Sequence, residues 1–353
     1  MKRNIILVVS MVFIMFFGFQ SCKTDVDINA DFKEIPIVYC VLDPSQEYQF
    51  VKLNKAFLGK KDVAEMAQTS DSLFFKDNVS VTLRKLQNDK EVAYWTFDYC
   101  DSIKKQEGFF ANDKNILYIK KVNFGNYDKG TVFEVLINVG DGKHIVRGKA
   151  KLIDNMGIYR PSEFMPNISL IAKNGFECEY RAGNAACITE VLLKLNYLEV
   201  VERDTSYKSL YYNIYDGVLS ENYNNDIVKS KIDVVGFYQH VANTLTSISG
   251  MQRFVKMPNS CELVIKSAEE NYYIYTQVTS PSTGIIQFRP TYTNLESETN
   301  TECMGLVASR NSFSQTYMLS QQTLDSLYRG IYTKSLGFAS PFNPYYAPYF
   351  IEK

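Results

Sequence analysis

Two histidines, one tryptophan, eighteen glycines and ten prolines are few for a chain of 353 residues. With only His144 and His240, imidazole chemistry has almost no material. His144 follows the hairpin Gly142-Lys143 and is expected at the surface; His240 falls on a helical stretch with no acidic neighbour in sequence. Neither belongs to a His-Glu-x-x-His pair, and no Gly-x-Ser-x-Gly occurs. Gly140-Asp141-Gly142-Lys143 lacks the glycine spacing of a phosphate loop and reads as a hairpin turn between strands. A glycosidase-type carboxylate pair cannot be picked out of 39 acids. An enzyme is therefore not expected, and neither is a cofactor or a metal. The low glycine and proline content excludes collagen-like and disordered classes. Charge is scarce in net terms: 38 basic against 39 acidic residues leave −1, too little field to hold nucleic acid.

A long apolar run is also missing. Residues 5–19 are mostly apolar, but a membrane-crossing helix needs about 20 such residues. The run follows Lys2 and Arg3 and leads to Ser21-Cys22, an order that reads as a secretory signal ending at a lipidated cysteine. Phe19 and Gln20 make this cleavage box a loose one, resembling the signals of Bacteroidetes lipoproteins. Several acyl chains on Cys22 would give stable anchoring in the outer membrane. Lys23, Asp25 and Asp27 then resemble the surface-export signal of the same lipoproteins. Asp25, Asp27, Asn29 and Asp31 alternate as in a calcium loop, but Ala30 replaces the needed glycine and Pro36 the bidentate glutamate. Residues 1–21 thus read as signal peptide and 22–34 as an acidic tether.

What the chain has in quantity is aromatic residues, 25 Tyr and 23 Phe, which favour strands. The expected fold class is mainly β. Seven strands are predicted, at 35–42, 49–54, 79–84, 92–97, 116–122, 132–139 and 146–152. Val79 to Arg84 shows the strict alternation of a half-buried strand. This count over 35–155 is that of an immunoglobulin-like sandwich, without the Cys-Trp-Cys pattern of antibody domains. Asn155, Gly157, Pro161 and Pro166 mark a boundary, after which 160–353 reads as a second β-rich domain with helical insertions. Strands are predicted at 191–197 and 210–215. Helices are predicted through Phe237, Val241, Leu245 and Ile248; from a capping box at Ser267-Ala268-Glu269-Glu270 to about Val278, stopped by Pro281; and through Leu324, Leu327, Tyr328 and Ile331. The tail sets Phe338, Phe342, Tyr345, Tyr346, Tyr349 and Phe350 among Pro341, Pro344 and Pro348. It suits a ligand platform or packing along its own domain, and packing is expected.

Beyond Cys22, six cysteines remain, an even number that permits disulfides in an exported protein. Cys178 and Cys187, bracketing Gly183-Asn184, are the candidate pair, while Cys40 reads as a buried thiol within a strand.

Three stretches, Pro36 to Leu42, Val51 to Gly59 and Asp71 to Phe75, together with Ser267 to Tyr275 and Asn294 to Ser309, resemble a Bacteroidetes family of outer-membrane lipoproteins with a domain of unknown function. Glu296 to Asn300 stands where that family usually has a glycine-rich turn. Its genes often lie beside TonB-dependent receptors. The resemblance implies an immunoglobulin-like first domain, a second β domain and a non-enzymatic accessory role beside such a receptor at the cell surface. A fimbrillin-like pilus or adhesin subunit is the alternative. Asp-Ser-Leu or Asp-Ser-Ile triplets at Ser72, Ser102 and Ser326 match an O-glycosylation pattern of exported Bacteroidetes proteins.

Overall fold

Valine, isoleucine and tyrosine dominate Ile35–Leu42, and their alternation decides which face is buried. Val38, Cys40 and Leu42 point into a core while Tyr39 stays exposed. This strand is β1 of a computed structural model that describes residues 34–56, 63–162, 164, 167–171, 175–202, 204–221, 223–280 and 291–342. The stretches expected to be signal peptide and, for the most part, tether, with Cys22, Lys23, Asp25 and Asp27, and likewise Pro281 and the tail from Asn343 onward, lie outside the described residues.

The chain continues through β2 (Tyr48–Ala56), short helices α1 (Val63–Ala67) and α2 (Ser70–Leu73), then β3 (Val79–Gln87), β4 (Lys90–Thr96), β5 (Asp98–Cys100), β6 (Leu117–Lys121), β7 (Thr131–Val139) and β8 (His144–Ala150). All seven strands predicted before residue 155 form, and β5 joins them. The β3–β4 hairpin turns on Asn88 and Asp89, both at positive φ, as a two-residue turn between twisted strands requires.

The second half holds β9 (Gly157–Arg160), β10 (Asn167–Ile168), β11 (Phe176–Arg181), β12 (Ile188–Val201), β13 (Asp204–Val218) and β14 (Val228–Ile232). After α3 (Val234–Thr244) come β15 (Met251–Val255), β16 (Cys261–Ala268), α4 (Glu270–Thr279), β17 (Leu295–Ser297), β18 (Met304–Leu319) and α5 (Gln321–Arg329). The fold is mainly β, with several sheets, and all three predicted helices exist.

Their ends differ from the predicted ones. Ser267 and Ala268 do not open α4. They finish β16, where Ser267 pairs with Thr189 of β12 and Asn311 of β18, and two ladders outweigh one cap. Helix α3 is capped by Asp233, whose side chain accepts from Gly236 N, and stops before Ile248, which is 55% exposed. Helix α5 is capped by Ser320 and leaves Ile331 in solvent beyond it.

Topology shows what patterning could not. One ten-stranded sheet runs β13-β12-β16-β18-β1-β2-β6-β5, with β10 paired to β18 and β15 to β12. A five-stranded sheet runs β17-β8-β7-β3-β4, and a three-stranded sheet β14-β11-β9. Two cores result. The first joins Val38, Leu53, Val81, Phe133, Ile137 and Val146 to Leu295 and Val307 from the far end of the chain. The second gathers Tyr180, Leu193, Phe237, Leu263, Tyr317 and Leu327. Among the described residues the first core runs to Leu152 and the second takes up from Met156, yet Leu295 and Val307 return to complete the first.

That return is the parallel pairing of β18 with β1, from Ile37 opposite Met304 to Leu42 opposite Ser309. Gly305 lies opposite Val38 at φ +119°, and a Cβ there would fall 1.8 Å from the Val38 carbonyl oxygen. Only glycine tolerates both conditions. Asn294 supports the same strand: its Nδ2 donates to Val307 O at 2.6 Å and its Oδ1 accepts from Val307 N at 3.0 Å. Gly305→Ala is expected to cost ~3 kcal/mol or more, combining backbone strain with overpacking. Gly108→Ala, where nothing lies within 4 Å, is expected to change stability little. Chemical denaturation of the two variants checks this, and equal loss in both would refute it.

Candidate functional site

Where the β1–β18 ladder ends, side chains take over from backbone. Glu269, the residue before α4, is 5% exposed. Its Oε1 accepts from Ser309 N at 2.9 Å and its Oε2 from Lys151 N at 3.0 Å. Ser309 Oγ closes the triangle by donating to Lys151 O at 2.5 Å. Next to it Arg310 Nε meets Asp43 Oδ2 at 3.0 Å, and Asn311 Nδ2 donates to Ile153 O at 2.7 Å. This polar clip ties the segment after β8, the end of β1 and the middle of β18 to the start of α4. Burial pushes the Glu269 carboxyl up to about 7, against the pull of its two backbone donors and of Asn271.

Clefts open on both sides of the clip. One, about 540 Å³, is lined by Asp128, Lys129, Lys151, Asp154, Asn184, Tyr223, Asn225 and Glu270. Asp154 is raised by burial, although Asn184 Nδ2 donates to it. Asp128 is held low, first by the Thr131 hydroxyl at 2.8 Å. The other, about 450 Å³, is lined by Asp43, Gln46, Glu190, Asp216, Lys266, Tyr272 and Arg310. A third, about 600 Å³, lies at the opposite end of the first core between Phe74, Tyr99, Tyr118, Asp71, Lys76 and Lys114. Their linings mix carboxylates, amines, amides and phenols with apolar side chains such as Leu152, Val218, Ile188, Leu53 and Phe75, a combination suited to a ligand with both polar and apolar faces.

The sequence-predicted residues are scattered over the fold. His144 is not at the surface: it is 4% exposed at the start of β8, with Nδ1 3.4 Å from Thr301 Oγ1, Nε2 3.9 Å from Glu34 Oε2, and Phe75 beside the ring. The return of residues 295–301 onto β8 covers it, a contact invisible to local pattern. Burial, then Lys143, holds its pKa low. His240 Nε2 is 2.9 Å from Tyr211 O, and the two imidazoles belong to different cores. Gly140 to Lys143 is the β7–β8 hairpin, with Gly140, Asp141 and Gly142 all at positive φ.

Cys178 and Cys187 are not bonded; all six described cysteines carry free thiols. Cys178 sits on β11 in the three-stranded sheet, fully buried, whereas Cys187 leads into β12 of the ten-stranded sheet. The Gly183-Asn184 turn carries the chain from one sheet to the other instead of folding it back. Burial pushes the thiols of Cys40 and Cys178 up to about 12, so both are inert. Among the described residues no group of three or more His, Cys, Asp or Glu is placed to hold a metal ion.

Of the three hydroxyls in the glycosylation triplets, Ser102 is exposed in the loop after β5. Ser72 and Ser326 are half-buried on α2 and α5, and Ser326 Oγ donates back to Gln322 O. Phe338 packs against Tyr197 with ring centroids 6.4 Å apart, so the tail begins on its own domain, while Phe342 is 73% exposed.

The fully buried Arg253 gave no sequence signal. Its Nε reaches Glu199 Oε2 at 3.0 Å, its Nη2 donates to Thr246 O at 2.5 Å, and its Nη1 donates to Leu336 O. It fastens β15 to the segment before the tail.

No protein-family model matches the chain, and no curated protein matches it.

The raised Glu269 carboxyl has a sign that can be checked. The folded state holds this proton more tightly than the unfolded chain does, so its contribution falls as pH rises from about 4.5 to about 7. Glu269→Gln cannot titrate and turns an N–H toward a buried donor, costing ~1–3 kcal/mol. The stability gap between wild type and E269Q is expected to narrow by roughly 2 kcal/mol from pH 5 to pH 8. A gap independent of pH, measured by urea unfolding, would contradict the assignment.

Proposed function

We propose that the chain is a lipid-anchored binding protein of the outer membrane, exposed at the cell surface and without catalytic activity, that assists a TonB-dependent receptor by holding or capping its ligand. The observation that carries this reading is the order Lys2, Arg3, apolar 5–19, Ser21, Cys22, followed by acidic Asp25 and Asp27. The site geometry supports it. Open clefts of mixed polar and apolar lining accompany two separated histidines and the inert buried thiols of Cys40 and Cys178, and the buried Glu269 is spent on backbone donors. The similarity to the lipoprotein family, and the immunoglobulin-like character of the first unit, belong to the same proposal. Two sheets sharing one core support the latter.

A second reading, the fimbrillin-like subunit, is favoured by β13. Among the described residues its 15 residues form an edge of the ten-stranded sheet beside β12, the kind of strand to which another can add.

Cys22→Ala separates anchor from binding. Wild type is expected in the outer-membrane fraction with acyl mass on Cys22, sensitive to protease on whole cells, and co-purifying with a receptor. C22A is expected to be released or left unprocessed. Intact mass without acyl addition would remove the anchor, and ladders of self-assembled chains in place of a receptor complex would favour the pilus reading.

A further inference from the structure

The loop between β5 and β6, residues 101–116, holds two adjacent phenylalanines in water. Phe109 is 60% and Phe110 51% exposed, with their rings edge to face at 5.7 Å. Single exposed apolar side chains are ordinary; a pair held outward by a built scaffold calls for a partner. The scaffold is explicit. Ala111 N donates to Ala67 O at 2.9 Å, Lys105 Nζ to Ala111 O at 3.1 Å, and Asn115 Nδ2 to Ile103 O at 2.9 Å. Lys52 Nζ donates to Asn115 Oδ1 at 2.5 Å, and Ser70 Oγ donates to Asp113.

The position of this loop is the second observation. Val51 of β2 pairs with Tyr118, so the segment preceding Leu117 lies toward the Ala56 end of β2. Ile35 pairs with Ala56, so β1 begins at that same end. From Glu34 the chain leads back to Cys22 through the eleven residues 23–33. These reach no farther than ~40 Å at full extension. The two phenylalanines therefore sit at the end of the sheet from which the tether leaves. Ile331 lies beyond the opposite end of β18, whose 16 residues starting opposite Ile37 span ~50 Å.

We infer that Phe109 and Phe110 dock into the headgroup–acyl boundary of the lipid surface that carries the anchor, and so orient the protein on it. This rests on the lipid-anchor reading. Within the loop Lys104, Lys105 and Lys114 are balanced by Asp101, Glu107 and Asp113. The surface it fits is thus a zwitterionic one penetrated by rings, not an anionic one held by charge, and the docking is insensitive to salt.

The test uses the full chain reconstituted in phosphatidylcholine vesicles whose acyl chains carry bromine. In a Trp95→Phe background, Phe109→Trp and Ile331→Trp each place the sole tryptophan at one end. Phe109→Trp is expected to show a blue-shifted emission quenched by the brominated lipid, unchanged by added salt, and Ile331→Trp neither shift nor quenching. Unquenched emission at 109, equal quenching at both positions, or quenching lost on adding salt overturns the docking surface. Acyl mass on Cys22 is read on the same samples. An acylated chain without quenching keeps the anchor and removes the docking; quenching without acyl mass does the reverse. Receptor co-purification lost in Phe109→Ala/Phe110→Ala, with no quenching at 109, assigns the patch to a protein and overturns the lipid surface.

Discussion

The parallel pairing of β1 with the first third of β18 is the constraint on which the rest of this structure depends. A single 16-residue strand serves both cores: Val307 completes the first, and Tyr317 and Leu319 lie in the second. Parallel pairing demands a long crossover, here everything between residues 42 and 304. It also demands close approach, which Gly305 permits by having no side chain. The first core cannot be completed without bringing the two halves of the chain into register, whereas the second draws only on residues from Met156 to Phe338.

Because that strand is shared, the passage from one core to the other has to satisfy polar groups that no ladder reaches. Glu269, Asp43, Arg310 and Asn311 do so, each bonding to backbone or to an opposite charge. A carboxylate in this position is costly to desolvate, which is why Glu269 holds its proton so firmly. Arg253 with Glu199 follows the same logic in the second unit: a buried charge is tolerated where every donor has an acceptor. Such networks add less to net stability than to choosing one arrangement of the segments they join.

The clefts arise from the same cause. Where ladders stop and loops from both units meet, the surface is concave and lined by polar and apolar groups together, the setting in which binding proteins hold ligands. Sheet ladders on either side hold these walls in place.

Local physics was legible in the sequence wherever it decided the outcome. Period-two alternation marked Val79 to Arg84 because one face of that strand is core and the other is not. Helical spacing marked α3 through Phe237 and Val241 and α5 through Leu324 and Leu327 because those side chains share one buried face. The calls for tertiary contact fared differently. Ser267 looked like a cap until two neighbouring strands claimed it; His144 looked exposed until residues 295–301 covered it. Cys178 and Cys187 looked joined by a turn that in fact parts two sheets. Glu269 and Arg253 carried no local signal, because a buried charge is defined by partners distant in sequence. The sequence by itself determined the β class, most strands of the first half and the existence of the three helices. The tertiary structure alone decided which strands pair, where one core ends, and which polar residues are enclosed. Pairing between residues hundreds of positions apart leaves no periodicity to read.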